Sequence, residues 1–316
     1  MDEHYFAIHP QVLRIDTALS FDVFVRTAKD KHDLLFKSGK QYTALIHAKI
    51  FKYSISALYV STTELQHYYS YLEENVDVVF GDFLISSKSK AKITHELVTS
   101  LAKLVLENPD ADITVRYKKI VTLIADFIFT TDDAVKHLIS FTSSSFQDYN
   151  HLVNVGIYSL GLLKEILKET DKHNIGEIAC GFFLHDLGKH DIPKHITQKN
   201  GQLTPDEWKL IKQHPEKGFR LMEQFSLESE EIRIILLQHH ERHNGSGYPL
   251  GLTGDQIHMY SKICAIADIF DALTSHRPYR YAQSSFKALK VMQTEMRKEF
   301  DPGLFSRFVL MFSKQG

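Results

Sequence analysis

The residue types that can do chemistry gather in the second half of the chain. His151, His185, Asp186, His214, His239, His240, Asp268 and the neighbouring Asp271 each fall on or beside a stretch that reads as helix. Imidazole nitrogens and carboxylate oxygens are ligands for divalent metals, and this set is large enough for two ions. Two cations held close together activate a water and stabilise both the attacking and the leaving oxygen at a phosphorus centre. That job needs a carboxylate that touches both ions, and neutral imidazoles to complete each shell. His185 and Asp186 are adjacent, and adjacent helical residues point about 100° apart. From a helix end the pair can touch one ion while Asp186 reaches a second. Lys189 lies near the same face and can neutralise a phosphate oxygen.

The segments that must aim these side chains carry their own signals. His214 precedes Pro215, and proline disfavours helical geometry in the residue before it, so His214 is expected at a helix break. His239 and His240 end the apolar run 232–237. Asp268 sits in Ile263-Cys264-Ala265-Ile266-Ala267-Asp268-Ile269-Phe270-Asp271, so apolar that a carboxylate there needs a counter-charge or a metal. Asp268 and Asp271 are three apart and share a helix face. A single histidine on an apolar helix is more often a satisfied core residue than a ligand, and His4, His47, His67, His95 and His173 read that way. The conjunction raises the odds: His-Asp-x-Gly-Lys, His-Pro, His-His-Glu and Ala-Asp-x-x-Asp-Ala follow in order on successive helices.

The chain before these motifs divides in two. Residues 21–26 alternate apolar and polar as a half-buried strand does, with 32–36 as a candidate partner and Ser38-Gly39-Lys40 as a turn. Residues 57–60 form another short strand. Thr62 or Thr63 is placed as the cap of a helix over 64–74. Residues 1–85 are therefore expected to form a small α+β regulatory or interaction module. Residues 86–142 read as a helical linker, with Ile93, Leu97, Leu101, Leu104 and Val105 at helical spacing. A second helix is expected over 113–139, set off by Asn108-Pro109-Asp110. Ser143-Ser144-Ser145 is placed as the cap of the helix carrying His151, and 143–316 as an all-helical catalytic domain. Thr204-Pro205-Asp206-Glu207 has the form of a capping box.

Composition narrows the class. At 316 residues two domains are expected, and the apolar and charged fractions are ordinary for a globular protein. A formal net charge of −2 gives no global basic field, which argues against long nucleic acid as a partner. Cys180 and Cys264 stand alone in apolar helical runs and read as buried free thiols. No basic stretch leads into an apolar run at the N-terminus, so no signal peptide is expected. No segment reaches the ~18 apolar residues of a membrane span. A cytoplasmic protein is the default.

The motifs His185-Asp186-Leu187-Gly188-Lys189, His239-His240-Glu241 and Gly247-Tyr248-Pro249 resemble those of the HD-GYP family, a branch of the HD hydrolase superfamily. The resemblance covers about 143–312. It implies an all-helical, metal-dependent phosphodiesterase that hydrolyses cyclic di-GMP to linear pGpG, with further cutting to GMP open, through a hydroxide bridging two metals. Carried over by position, one metal would be held by His151, His185, Asp186 and Asp268, and the other by Asp186, His214, His239 and His240. Iron is the first expectation, then manganese, with zinc behind. Asp186 and Lys189 are the expected catalytic residues. Lys189, Tyr248, Arg277 and Arg280 are the expected substrate contacts, with a turn aromatic packed on the helix below as the rival role of Tyr248.

Two departures stand out. Some relatives have a glutamate four residues before the first histidine that helps bind a third metal. Here that position is Gln147, so a binuclear centre is expected. Asn244 stands where the family has aspartate, a change that preserves turn chemistry. The resemblance also implies docking of a GGDEF-domain partner on the Gly-Tyr-Pro loop. Regulation, homodimer formation or partner docking are all open for the N-terminal module. Two rival functions remain: a receptor that binds cyclic di-GMP without cutting it, and a hydrolase of another nucleotide or cyclic dinucleotide.

Overall fold

Two kinds of periodicity build two units. A computed structural model describes residues 5–28, 31–145, 147–167, 169–197, 199, 201–276 and 281–313. Its contacts divide the chain into Met1–Ile93 and Thr94–Gly316. The fold is mainly helical, with a small sheet module at the N-terminus, as the sequence leads one to expect.

The first unit contains β1 (Tyr5–Ile8), β2 (Thr17–Ala18), β3 (Val23–Ala28), β4 (Lys31–Phe36), β5 (Gln41–Tyr42), α1 (Ala44–Lys52), β6 (Leu58–Ser61) and α2 (Leu65–Gly81). The larger sheet has the order β1-β6-β3-β4, and its pairs are antiparallel. The expected hairpin is present, with Phe24 opposite Leu34 and Arg26 opposite His32. Phe21 is fully buried and meets the rings of Tyr68 and Tyr71 on α2 edge-on, each at 5.6 Å. Such edge-to-face pairs add about 0.5–1.5 kcal/mol beyond the area they bury. Neither Thr62 nor Thr63 caps α2. The Ser61 hydroxyl instead accepts from the Thr63 amide and opens a short 3-10 turn, Thr62–Glu64, that leads into the helix. The helix then runs on to Gly81, past the expected end at residue 74.

The boundary between the units falls inside α3 (Ser87–Glu107). There follow α4 (Ala111–Thr130), α5 (Ala134–Phe141), α6 (Asp148–Ile166), α7 (Ile175–Leu184), α8 (Lys194–Thr197), α9 (Pro205–Ile211), α10 (His214–Gln224), α11 (Glu230–Gln238), α12 (Met259–Thr274), α13 (Ser285–Thr294) and α14 (Pro302–Ser313). The single helix expected over 113–139 is two, α4 and α5. The break has a cause: the Lys164 ammonium donates to the carbonyls of Ile128 and Thr131 and stops α4 there. The serines at 143–145 do not cap α6, whose N-cap position is Gln147, with no side-chain bond. Ser143 is held elsewhere, by the Asn154 carboxamide, which accepts from its N–H and donates to its carbonyl. The capping box at Thr204 and Glu207 is formed.

α6 is buried on every side from His151 to Leu163 and packs against α12, α7 and α14. A helix with no polar face belongs at the centre of a core. The short 3-10 turn Leu187–Asp191 after α7 presses on α10 with no room to spare. A Cβ on Gly188 would lie 2.0 Å from the His214 carbonyl and 2.4 Å from the Gly218 nitrogen. Cys180 and Cys264 are free and buried. Among the described residues no helix is long and apolar enough to cross a membrane.

One buried histidine outside the motif set gives a pH prediction. Burial pushes His95, on α3, down to about 4, and its Nε2 has no hydrogen-bond partner. The unfolded chain takes up a proton here below about 6.5, whereas the folded chain does so only near the lowered value. His95 thus removes stability as pH falls from about 6.5 towards 4. His95→Leu should retain more of its urea-unfolding stability than the wild type on going from about pH 7 to about pH 5. Equal losses in the two proteins would refute this.

Candidate metal centre

Each expected ligand sits at a helix end or on a helix that the core holds fixed. His151 is in the first turns of α6. His185 closes α7, and Asp186 follows in the turn. His214 is the first residue of α10, directly after the break that Pro215 imposes. His239 closes α11, with His240 next to it. Asp268 lies in the buried α12. His185, His214 and His239 are completely buried.

These residues converge as two groups of donors. Asp186, His214, His239 and His240 form one, and His151, His185 and Asp268 the other. Asp186 faces both. Its Oδ1 is 3.1 Å from His214 Nε2 and 3.8 Å from His239 Nε2. Its Oδ2 is 3.3 Å from His151 Nε2 and 3.5 Å from His185 Nε2. Asp268 also spans the groups, with Oδ1 3.3 Å from His151 Nε2 and Oδ2 3.6 Å from His240 Nδ1.

The bonds at the far side of each ring show that the donors fit a metal. His185 Nδ1 donates to the Phe182 carbonyl at 2.9 Å, His214 Nδ1 to Ile211 at 2.7 Å, and His239 Nδ1 to Leu236 at 2.9 Å. A proton fixed on Nδ1 leaves the Nε2 lone pair pointing into the centre. Those nitrogens face one another, 3.1 Å apart for His214 and His239 and 3.4 Å for His151 and His185. His214 and His239, each with its proton on Nδ1, have none on Nε2 to share, so their approach is that of ligands sharing an ion.

Electrostatics agree with ligands ready to bind. Burial lowers His185 to about 3 and His214 below its ordinary value. Burial, with His239 and His214 close by, takes His240 well below the usual histidine range. Burial works against ionisation of Asp186 and Asp268, yet both lie well below the usual carboxylate range. Lys189 and His185 hold Asp186 down, and His151 and His240 hold Asp268 down. Burial opposes a proton on His151, but Asp186, Asp268 and Asp271 outweigh it and raise that group. A cation would compete with this proton for the ring.

Asp271 is not a member of either donor group. It stands behind His151, accepting from Nδ1 at 2.7 Å, while its other oxygen accepts from Asn154 Nδ2 at 2.7 Å. A carboxylate in this position orients the imidazole and strengthens it as a ligand. Asp271→Ala should weaken metal binding at this half of the centre by about 10–100-fold in a metal titration. Unchanged affinity would remove Asp271 from the account. Asn154 carried no role in the sequence, although its place three residues after His151 on the same helix face could have marked it.

Lys189 donates to Asp186 Oδ2 at 2.5 Å, and burial, which opposes its charge, is overcome by that carboxylate. Both line a cavity at the centre, together with Asp148, Leu152, Ile192 and Lys194. Asp148, exposed like its neighbour Gln147, was not singled out from the sequence. The Tyr248 ring lies 4.7 Å from the His240 ring, with the Lys212 ammonium 5.4 Å from its centroid. Burial and then Asp186 and Asp268 raise its phenol, which stays protonated. Asn244 Oδ1 accepts from the Ser246 N–H and hydroxyl, the turn chemistry expected of it. Arg277 and Arg280 lie outside the described residues.

The model of one family, described as HD domain, matches residues 135–304. The chain belongs to the HD domain family. Curated relatives match the chain in part. Cyclic di-GMP phosphodiesterase PA4108 from Pseudomonas aeruginosa is 33% identical over 177 residues, 56% of this chain and 42% of that protein. The cyclic di-GMP phosphodiesterase response regulator RpfG from Xanthomonas campestris is 36% identical over 54% of this chain and 43% of its own length. The 3'3'-cGAMP-specific phosphodiesterase 3 from Vibrio cholerae is 36% identical over 49% of this chain and 33% of its own. The chain thus spans less than half the length of these relatives. Among solved structures, Bd1817, a HDG"Y"P protein from Bdellovibrio bacteriovorus, has the same fold. Its TM-score is 0.65 at 21% identity, covering 98% of this chain and 100% of that one.

Proposed function

We propose that the chain is a metal-dependent phosphodiesterase that opens cyclic di-GMP to linear pGpG. One observation carries this reading: Asp186 stands between two groups of buried donors, each aimed at one point. His151, His185, Asp186 and Asp268 would hold one cation, and Asp186, His214, His239 and His240 the other. Mixed nitrogen and oxygen donors without thiolate suit iron or manganese. When bound, such cations supply the charge that activates water and offsets the negative charge growing on the phosphate.

The chain's own groups do the rest. The three carbonyls that hold His185, His214 and His239 by Nδ1 fix their orientation, so little reorganisation remains at the moment of reaction. Lys189 keeps its proton and presents a positive charge to the cavity, where it would meet a phosphate oxygen. The Tyr248 phenol, also protonated, offers a donor at the rim. Arg277 and Arg280 complete the reading as phosphate holders on sequence grounds. The relatives named for cyclic di-GMP phosphodiesterase activity support the substrate class.

A second substrate has specific support, because other relatives at 36% and 39% identity are named for 3'3'-cGAMP. The test is to load the chain anaerobically with Fe(II) or Mn(II), supply each cyclic dinucleotide in turn, and separate the products. Linear pGpG formed faster than the linear hybrid dinucleotide is the expected result. No linear product from either substrate would overturn the function. Faster opening of the hybrid would move the assignment to the second substrate.

A further inference from the structure

Glu241 follows the two ligands His239 and His240, is 1% exposed, and has no part in the centre described above. Both oxygens of its carboxylate are engaged elsewhere. Oε1 accepts from the N–H groups of Leu250 at 2.7 Å and Gly251 at 3.2 Å, and Oε2 from Leu252 at 2.9 Å. Three consecutive amides on one buried carboxylate make an anion nest, with charge-assisted bonds stronger than neutral ones. Both of its oxygens are turned to the loop amides, and Glu241 is in neither donor group.

What the nest holds is the segment that presents Tyr248. The loop backbone lies directly on the backbone of the ligand segment. A Cβ on Gly247 would sit 2.4 Å from Glu241 Cα and 2.5 Å from the His240 carbonyl oxygen. The Tyr248 N–H donates to that same carbonyl at 3.3 Å. Glu241 thus ties residues 250–252 to the start of the loop at 240, and Tyr248 is the side chain enclosed between the two attachments. Its ring rests on His240.

We propose that Glu241 is a positioning residue: its carboxylate clamps the amides of Leu250, Gly251 and Leu252, fixes Tyr248 beside His240, and thereby sets how tightly the phosphodiester substrate is held. The substrate half of this proposal rests on the function proposed above. The clamp half rests on geometry alone.

The two halves are tested separately on the metal-loaded chain. Hydrogen exchange needs no substrate. In Glu241→Ala the amides of 250–252 should exchange faster by about tenfold or more, with α11 and α12 unchanged. Glu241→Gln, which keeps one acceptor oxygen, should fall between. Unchanged protection of 250–252 in both variants would overturn the clamp. With cyclic di-GMP, Glu241→Ala should raise KM by about tenfold while kcat stays within about threefold and metal content is that of the wild type. Glu241→Gln should recover part of the KM. Loss of metal together with kcat, at unchanged KM, would overturn the positioning role and make Glu241 a support of the ligands. A wild-type chain that cuts no cyclic dinucleotide refutes the function and the substrate half, while the exchange result still decides the clamp.

Discussion

Asparagine in place of Asp186 should remove metal from both halves of the centre at once. Asp186 lies within 3.8 Å of His151, His185, His214 and His239, two through each oxygen. An amide of the same size keeps one neutral oxygen and loses the charge that two neighbouring cations would share. Elemental analysis of Asp186→Asn should find little bound metal. The rate of cyclic dinucleotide opening should fall by roughly a thousandfold or more, equivalent to about 4 kcal/mol of transition-state stabilisation. The fold should persist, because the apolar residues of α6, α7 and α12 are untouched, and far-ultraviolet circular dichroism would show it. A variant that retained two metals and ordinary turnover would end the account of a shared carboxylate.

Gly188→Ala should do comparable damage by a different route. The added methyl would meet the His214 carbonyl and the Gly218 nitrogen, both backbone atoms of α10. A flexible side chain could swing aside, but a helix must move as a body, carrying His214 away from Asp186. The expected cost is about 2–4 kcal/mol, or roughly 5–15 °C in melting temperature, with reduced metal content. Gly81→Ala is the control, since a Cβ there meets nothing within 4 Å. Equal melting temperatures for the two variants would show that the contact between the 187–191 turn and α10 is not the tight one described.

The centre was unusually legible because its ligands occupy short, distinctive strings. His185-Asp186, His214-Pro215 and His239-His240 each mark a helix end, and the apolar surroundings of Asp268 demanded a partner. Spacing within one segment could not reveal groups that act across segments. Asp271 looked like a companion of Asp268 on one helix face, yet it turns to His151, 120 residues away. Asn154 and Glu241 act through backbone atoms whose positions only the folded loops define. The same holds for the fold. Periodicity gave the helices, but the end of α4 is set by Lys164 from α6, a contact 33 to 36 residues away. The strand pair over 21–36 was readable because hairpin partners are close in sequence.

The burial of α6 on every side from His151 to Leu163 has a consequence for how such a protein can diversify. No side of that axle is available for change, since any larger or more polar group must displace a packed neighbour. The ligand it carries is thereby inherited along with the core. Novelty in what is recognised has to be written in segments outside the axle that carry none of the ligands or clamps, such as 194–211 and 253–258, which can be edited without disturbing the bearing on which the chemistry turns.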